Sequence, residues 1–204
     1  MNHLRWLSLS ALVVVAATGC SPGGGDPVQT VQAAVFVNGS FESDAIGATP
    51  SSWTVSTYQN DGITDTRPAA QTLASLNLQA GGYAATFVVG GAAESQTDPD
   101  LGAGASFRYP KYGSRALRIN LGTGFFQTGA AKNVNGASQT MTVANGDVDA
   151  SDNKVHVRFA VAPVLQNPAH DYIEQPYYFI QLRNITKRTT LYQNFNASAQ
   201  TGVP

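Results

Sequence analysis

The chain is poor in the residues that usually announce a mechanism. Of 204 residues, one is cysteine and three are histidine. A single thiol, Cys20, excludes an intramolecular disulfide and any clustered-cysteine metal site. Charged residues make up 12%, about half the usual share of ~25%. With a formal net charge of -1 there is no broad basic face, and the electrostatic footprint of nucleic-acid binding is missing. Helical periodicity is scarce as well. No window carries a long 3.6-residue apolar pattern with caps at both ends. Residues 72–76 are the best helical candidate, and Gly81-Gly82 ends it early. No serine sits in a nucleophile elbow, and no glycine-rich loop leads into a helix that could cradle phosphate.

What is present is a globular share of hydrophobic residues, 43%, enough to form a core in one domain of ordinary size. Ser, Thr, Asn, Gln and Gly stand where charges would normally be, a mixture that suits a β protein working outside the cytoplasm.

The first twenty residues carry one fixed positive side chain, Arg5, then an apolar run from Leu7 to Ala17, then Thr18-Gly19 before Cys20. This is the layout of a secretory leader with an apolar run of about 7–15 residues. The run is too short for a helix across a bilayer, which needs about 20 residues. The tail Ala17-Thr18-Gly19-Cys20 resembles a bacterial lipobox, with Ala17 where leucine is usual. The resemblance implies that residues 1–19 are a lipoprotein signal peptide and that Cys20 becomes the lipid-bearing first residue. The other reading is a plain secretory leader with an incidental cysteine. Acyl chains on Cys20 would give stable anchoring. Ser21 after it implies a cell-envelope location, at the outer membrane or cell surface. Residues 20–33 follow as a Gly- and Pro-rich tether without apolar periodicity, and residues 34–204 form the folded domain.

In that domain the signals have period two. Residues 35–37 are a short apolar run meeting a turn at Asn38-Gly39. Trp53 opens a second run, to Tyr58. Further runs cover residues 83–89, 115–121, 138–143, 154–164, 177–185 and 189–195. The clearest alternation is in 154–164, with Val155, Val157, Phe159 and Val161 on one face and His156 and Arg158 on the other. In 177–185, Tyr178, Ile180 and Leu182 share a face, and residues 189–195 are the expected antiparallel partner through Thr186-Lys187-Arg188. About eight short strands between turn-rich loops predict an all-β, antiparallel sandwich or barrel.

Three stretches narrow this further. Asn38-Gly39-Ser40-Phe41-Glu42 followed by Trp53, the turn Tyr112-Gly113-Ser114 into Arg115-Ala116-Leu117-Arg118-Ile119, and Ser138-Gln139-Thr140-Met141-Thr142-Val143 together resemble carbohydrate-binding modules of the family 4/9 type, which are galactose-binding-like jelly rolls. The likeness covers most of the stretch from residue 35 to residue 195. It implies a jelly-roll β-sandwich and a glycan ligand. Family members end in further strands, the last of which bears an acidic residue and pairs with the first. Residues 201–204 follow directly on the last run here, so the resemblance implies a jelly roll incomplete at its C-terminus. It also implies that Glu42, with Asn38 in the same turn, helps to hold a structural Ca2+, an ion that takes six to eight oxygens. Otherwise Glu42 is a strand-end carboxylate satisfied by backbone donors.

Sugar binding needs flat aromatic faces beside polar groups. Tyr109 and Tyr112 bracket Pro110-Lys111, and Tyr172 and Tyr177 lie together further on. These four are the candidate ligand-binding residues, and burial in the core is the competing role for each. Trp53 is expected in the core. Asp147, Asp149 and Asp152 are spaced as a calcium loop might be but lack its sixth-position glycine, and read as a solvated turn. His156, His170, Asp171 and Glu174 supply no third ligand at a recognisable spacing. The sequence thus predicts a lipid-anchored, non-catalytic binding module, most readily for glycan. A protein-binding adhesion or assembly module, or part of an extracellular hydrolase, are its alternatives.

Overall fold

The structure, a computed structural model, describes residues 9–18, 36–60, 62–63, 71–90, 110, 113–120, 132–165, 171, 173 and 175–198, with the backbone alone at 9–18 and 132. It is all-β with sandwich-like character. The strands are β1 (Leu9–Thr18), β2 (Thr54–Asn60), β3 (Leu78–Ala80), β4 (Thr86–Gly90), β5 (Arg115–Ile119), β6 (Lys132–Thr142), β7 (Val148–Asp149), β8 (Lys154–Val155), β9 (Tyr177–Asn184) and β10 (Thr189–Ala197). Six form one sheet in the order β10-β9-β1-β6-β2-β3, and β4-β5 and β7-β8 form two small ladders. Every pairing is antiparallel except those of β1, which runs parallel to both β6 and β9.

Register explains the core. Tyr58 lies opposite Val134, Phe179 opposite Phe195, and Tyr177 opposite Ala197, so these side chains share one face of the sheet. Ile63 and Leu76 cover them, and Leu78 packs alongside. A short 3-10 turn, Ala74–Leu76, delivers Leu76. It stands where the helix was expected, and it stops because Asn77 takes up a left-handed conformation (φ 50°).

The other face carries Asn135, Ala137, Gln139 and Met141 of β6 and Ile180 and Leu182 of β9. Met141 gathers Phe36, Val143, Val155 and Leu182 around it. Gln139 holds the 36–53 segment against this face. Its side-chain amide donates to the carbonyls of Val37 and Ser52 (2.8 and 2.7 Å), and its oxygen accepts from the Val37 N–H (2.9 Å). Asn135, fully buried, fastens β4-β5 to the same face. It accepts from the Ala85 N–H (2.9 Å) and donates to the Tyr83 carbonyl (3.0 Å) and to the Asn120 side chain.

Two expectations need correction, and a third strand keeps its expected shared face but is buried on both sides. Residues 36–40 form turns, closed by the Gly39 N–H donating to the Phe36 carbonyl (3.2 Å), and not a strand. The alternation in 154–164 becomes a strand only at β8. Beyond it Phe159, Val161 and Val164 are 44%, 52% and 50% exposed, because no strand among the described residues pairs with them. In β9 both faces are buried: Tyr177 and Phe179 on one, Ile180 on the other. A strand in mid-sheet with cover on both sides has no solvent face.

Candidate functional site

The loop that precedes β2 is built on side-chain caps. The Asn38 amide donates to the Asp44 carboxylate and to the Ser51 carbonyl (3.2 Å) and hydroxyl (3.0 Å), and its oxygen accepts from the Ser43 hydroxyl (2.7 Å). Trp53 sits half-buried between the rings of Phe36 and Phe41, at centroid distances of 5.4 and 5.6 Å, and its indole N–H points at the Asn38 carbonyl (3.4 Å).

Glu42 crosses to the start of β5. Its Oε1 accepts the backbone N–H groups of Ser114 (2.6 Å) and Arg115 (2.9 Å), and its Oε2 accepts the Ser114 hydroxyl. The hydroxyl above all, and then the backbone donors, hold its pKa below the ordinary 4.5. Gly113 makes the close approach feasible. Its φ of +70° is left-handed, and a Cβ there would stand 2.4 Å from Oε1. Asn38 and Glu42, the residues expected at a structural Ca2+, are both engaged in hydrogen bonds within the protein. Both carboxylate oxygens of Glu42 face N–H or O–H donors, the Asn38 oxygen accepts a hydroxyl, and its amide nitrogen faces Asp44. This donor set does not fit a cation that wants six to eight oxygens. The competing reading of Glu42, a carboxylate satisfied by backbone donors, matches the geometry.

The expected aromatic site is divided. Tyr109, Tyr112 and Tyr172 lie outside the described residues, as do Cys20, His170 and Glu174. Tyr177 is 2% exposed. Its ring packs on Phe195 at 5.6 Å, and its hydroxyl accepts from the buried Asn60 amide (3.1 Å). Tyr177 is therefore a core residue, not a ligand platform.

The hairpin of β7 and β8 is richer than a plain solvated turn. One oxygen of Asp149 caps Ser151 at its N–H (2.8 Å) and hydroxyl (2.6 Å), and one of Asp152 accepts the Lys154 N–H (3.0 Å). The other oxygens face His156 Nε2, at 3.7 Å from Asp149 and 3.2 Å from Asp152. The Ser151 hydroxyl, most of all, lowers the Asp149 pKa below 3.8. All three side chains are at least a quarter exposed, as in a solvated turn with its own side-chain caps.

Among the described residues there is a recess that the sequence does not announce. It lies over β2 and β6, on the Tyr58 face of the sheet, and has a volume of about 520 Å3, within the common range for small-molecule sites of about 300–1,000 Å3. Ser56 lies opposite Gly136, and Thr54 opposite Ser138. Small side chains at Ser56, Gly136 and Ser138 leave the floor low. Tyr58 closes one end, and Leu73, Ala74, Asn77 and Leu78 form the wall. Among the described residues that line it there is no carboxylate, imidazole, ammonium, guanidinium or thiol. It offers two hydroxyls, an amide, a phenol ring and aliphatic edges. Such a lining can hydrogen-bond in both directions and stack, but it supplies no acid–base pair. Residues this small, brought together from positions 56, 73–78 and 136–138, leave no local pattern in the chain. Compared with known protein families, curated proteins and solved structures, the chain finds no match.

Proposed function

We propose that this chain is a lipid-anchored, non-catalytic binding module of the cell envelope and that it takes a neutral glycan in the recess over β2 and β6. The observation that carries the reading is the lining of that recess. Hydroxyls at Ser56 and Ser138, with the Tyr58 ring in the same recess, suit a polyhydroxylated, uncharged ligand with apolar C–H faces. The likeness of the 38–53, 112–119 and 138–143 stretches to carbohydrate-binding modules of jelly-roll type points to the same ligand class. The leader layout and the Thr18-Gly19-Cys20 tail support anchoring through lipid on Cys20.

The test is retention on an array of neutral polysaccharides, followed by titration of the best hit. Ser56→Leu fills the recess and is expected to weaken binding at least tenfold while the thermal midpoint moves by only a few degrees. Tyr109→Ala and Tyr112→Ala, run alongside, read whether those tyrosines share the ligand. No retention on the array, or equal affinity in Ser56→Leu, would overturn the assignment. Turnover in a hydrolase panel would favour the enzymatic alternative.

A further inference from the structure

The apolar run of residues 9–18, LSALVVVAAT, is the middle strand of the large sheet. It pairs with β6 from Leu9↔Asn133 through Thr18↔Thr142, and with β9 from Ala11↔Tyr178 through Ala17↔Asn184. In the strand order it alone joins the β6-β2-β3 half of the sheet to the β9-β10 half. The same run is the apolar centre of the leader. A leader cut before Cys20 takes β1 away and leaves β6 and β9 facing each other across one strand's width. We propose that this gap is a strand-acceptor slot, and that in the processed protein it receives an extended, uncharged, β-branched segment of a partner polypeptide. The inference rests on reading residues 1–19 as a leader.

Three features argue for it. The first is hydrogen bonding. Without β1, the inner N–H and C=O groups of β6 and β9 lose their partners in the middle of a sheet covered on both faces, and such groups are costly to leave unpaired. Closing the gap would move the two halves together by about 4.8 Å. That shift would disturb the core cluster that holds Phe179 and Val134 on one face and the placement of Ile180 and Ala137 on the other, all of them at most 3% exposed.

The second is direction. Because β1 is parallel to both neighbours, β6 and β9 run the same way. A strand entering in the opposite sense would be antiparallel to both, the more stable pairing per residue. The leader is thus held in the weaker of two possible ladders and is replaceable.

The third is chemistry. Over the paired lengths, residues 133–142 of β6 contain no charged side chain, and residues 178–184 of β9 contain one, Arg183, near the end of the ladder opposite Ala16. The strand that does occupy the slot is itself uncharged and rich in valine and alanine. Strand donation into a sheet takes its strength from main-chain bonds and its selectivity from such a match.

The test uses the full chain with a specific protease site placed between Gly19 and Cys20, so that β1 can be severed whether or not the host removes it. The severed leader is stripped in urea and the remainder refolded. The probe is a fluorescent peptide of sequence LSALVVVAAT with terminal lysines. The severed chain is expected to bind the probe at least tenfold more tightly than the uncut chain. Amide exchange at residues 134–140 should accelerate on severing and slow again with the probe. If the severed chain does not refold alone, the expected result is recovery of its β spectrum when the probe is added.

Failure of the probe to bind a folded severed chain, or to restore an unfolded one, would overturn the slot. So would undiminished protection at residues 134–140 without probe, which would mean that the sheet closes on itself or on another segment of the chain, or a dimer that provides this protection. Intact mass of the chain from host membranes is read separately. An uncut chain there sinks the leader reading while leaving the engineered-cut result to decide the slot.

Discussion

At Glu42 one carboxylate accepts three hydrogen bonds from two consecutive residues, Ser114 and Arg115. Its pKa lies below its ordinary value, as does that of Asp44, which is lowered chiefly by the Ser51 hydroxyl. For such groups the folded state favours the ionised form. Their contribution is present in full above the unfolded pKa and is lost as pH falls through the lowered folded value. The thermal midpoint should therefore drop as pH is taken from 5 towards ~3, and it should drop less steeply in Glu42→Gln than in the parent. An equal slope in both would show that the Glu42 caps do not form.

Asn135 tests the interior. It joins β6 to Ala85, Tyr83 and Asn120 with no exposure to water. Asn135→Ala leaves several buried polar groups without partners and is expected to cost about 3 kcal/mol, read by urea denaturation. At this scale the sequence was legible at Glu42, where a carboxylate near a small-residue turn has few alternatives to backbone donors. It was not legible at Tyr177, because ring burial is decided by what lies across the sheet.

Among the elements, period-two patterns found β2, β4, β5, β9 and β10 to within a few residues, and the turn at 186–188 joins β9 to β10 as the alternation implies. The strongest pattern of all, in 154–164, led astray. Alternation shows which residues could share a face, but burial needs a neighbouring strand, and Pro163 opposes one. The contrast can be measured. Phe159→Ser should change stability by no more than about 0.5 kcal/mol, as an exposed change does. Phe179→Ala, in β9, should cost about 3–5 kcal/mol. A large loss at Phe159 would mean that 156–165 is packed in solution. The leader-like run was legible as apolar and too short to span a bilayer. Its place as β1 was not, since parallel pairing with β6 and β9 joins residues more than a hundred positions apart, and nothing local encodes such a register.

For the molecule as a whole, low charge and abundant neutral polar residues have two consequences. Buried amides such as Asn60, Asn135 and Gln139 can bridge layers without the desolvation cost of ions, and the described residues that wall the recess over β2 and β6 are neutral. The recess depends on register: a slip of β2 by one residue against β6 would turn Ser56 and Tyr58 away from the face that carries Ser138. That dependence makes the site a test of fold and function together. The most direct measurement is backbone amide chemical-shift mapping while the best neutral oligosaccharide from the array is titrated in. The largest shifts are expected at Ser56, Asn77, Gly136 and Ser138, all absent in Ser56→Leu. Shifts confined to other parts of the chain, or none at saturating ligand, would contradict glycan binding in this recess.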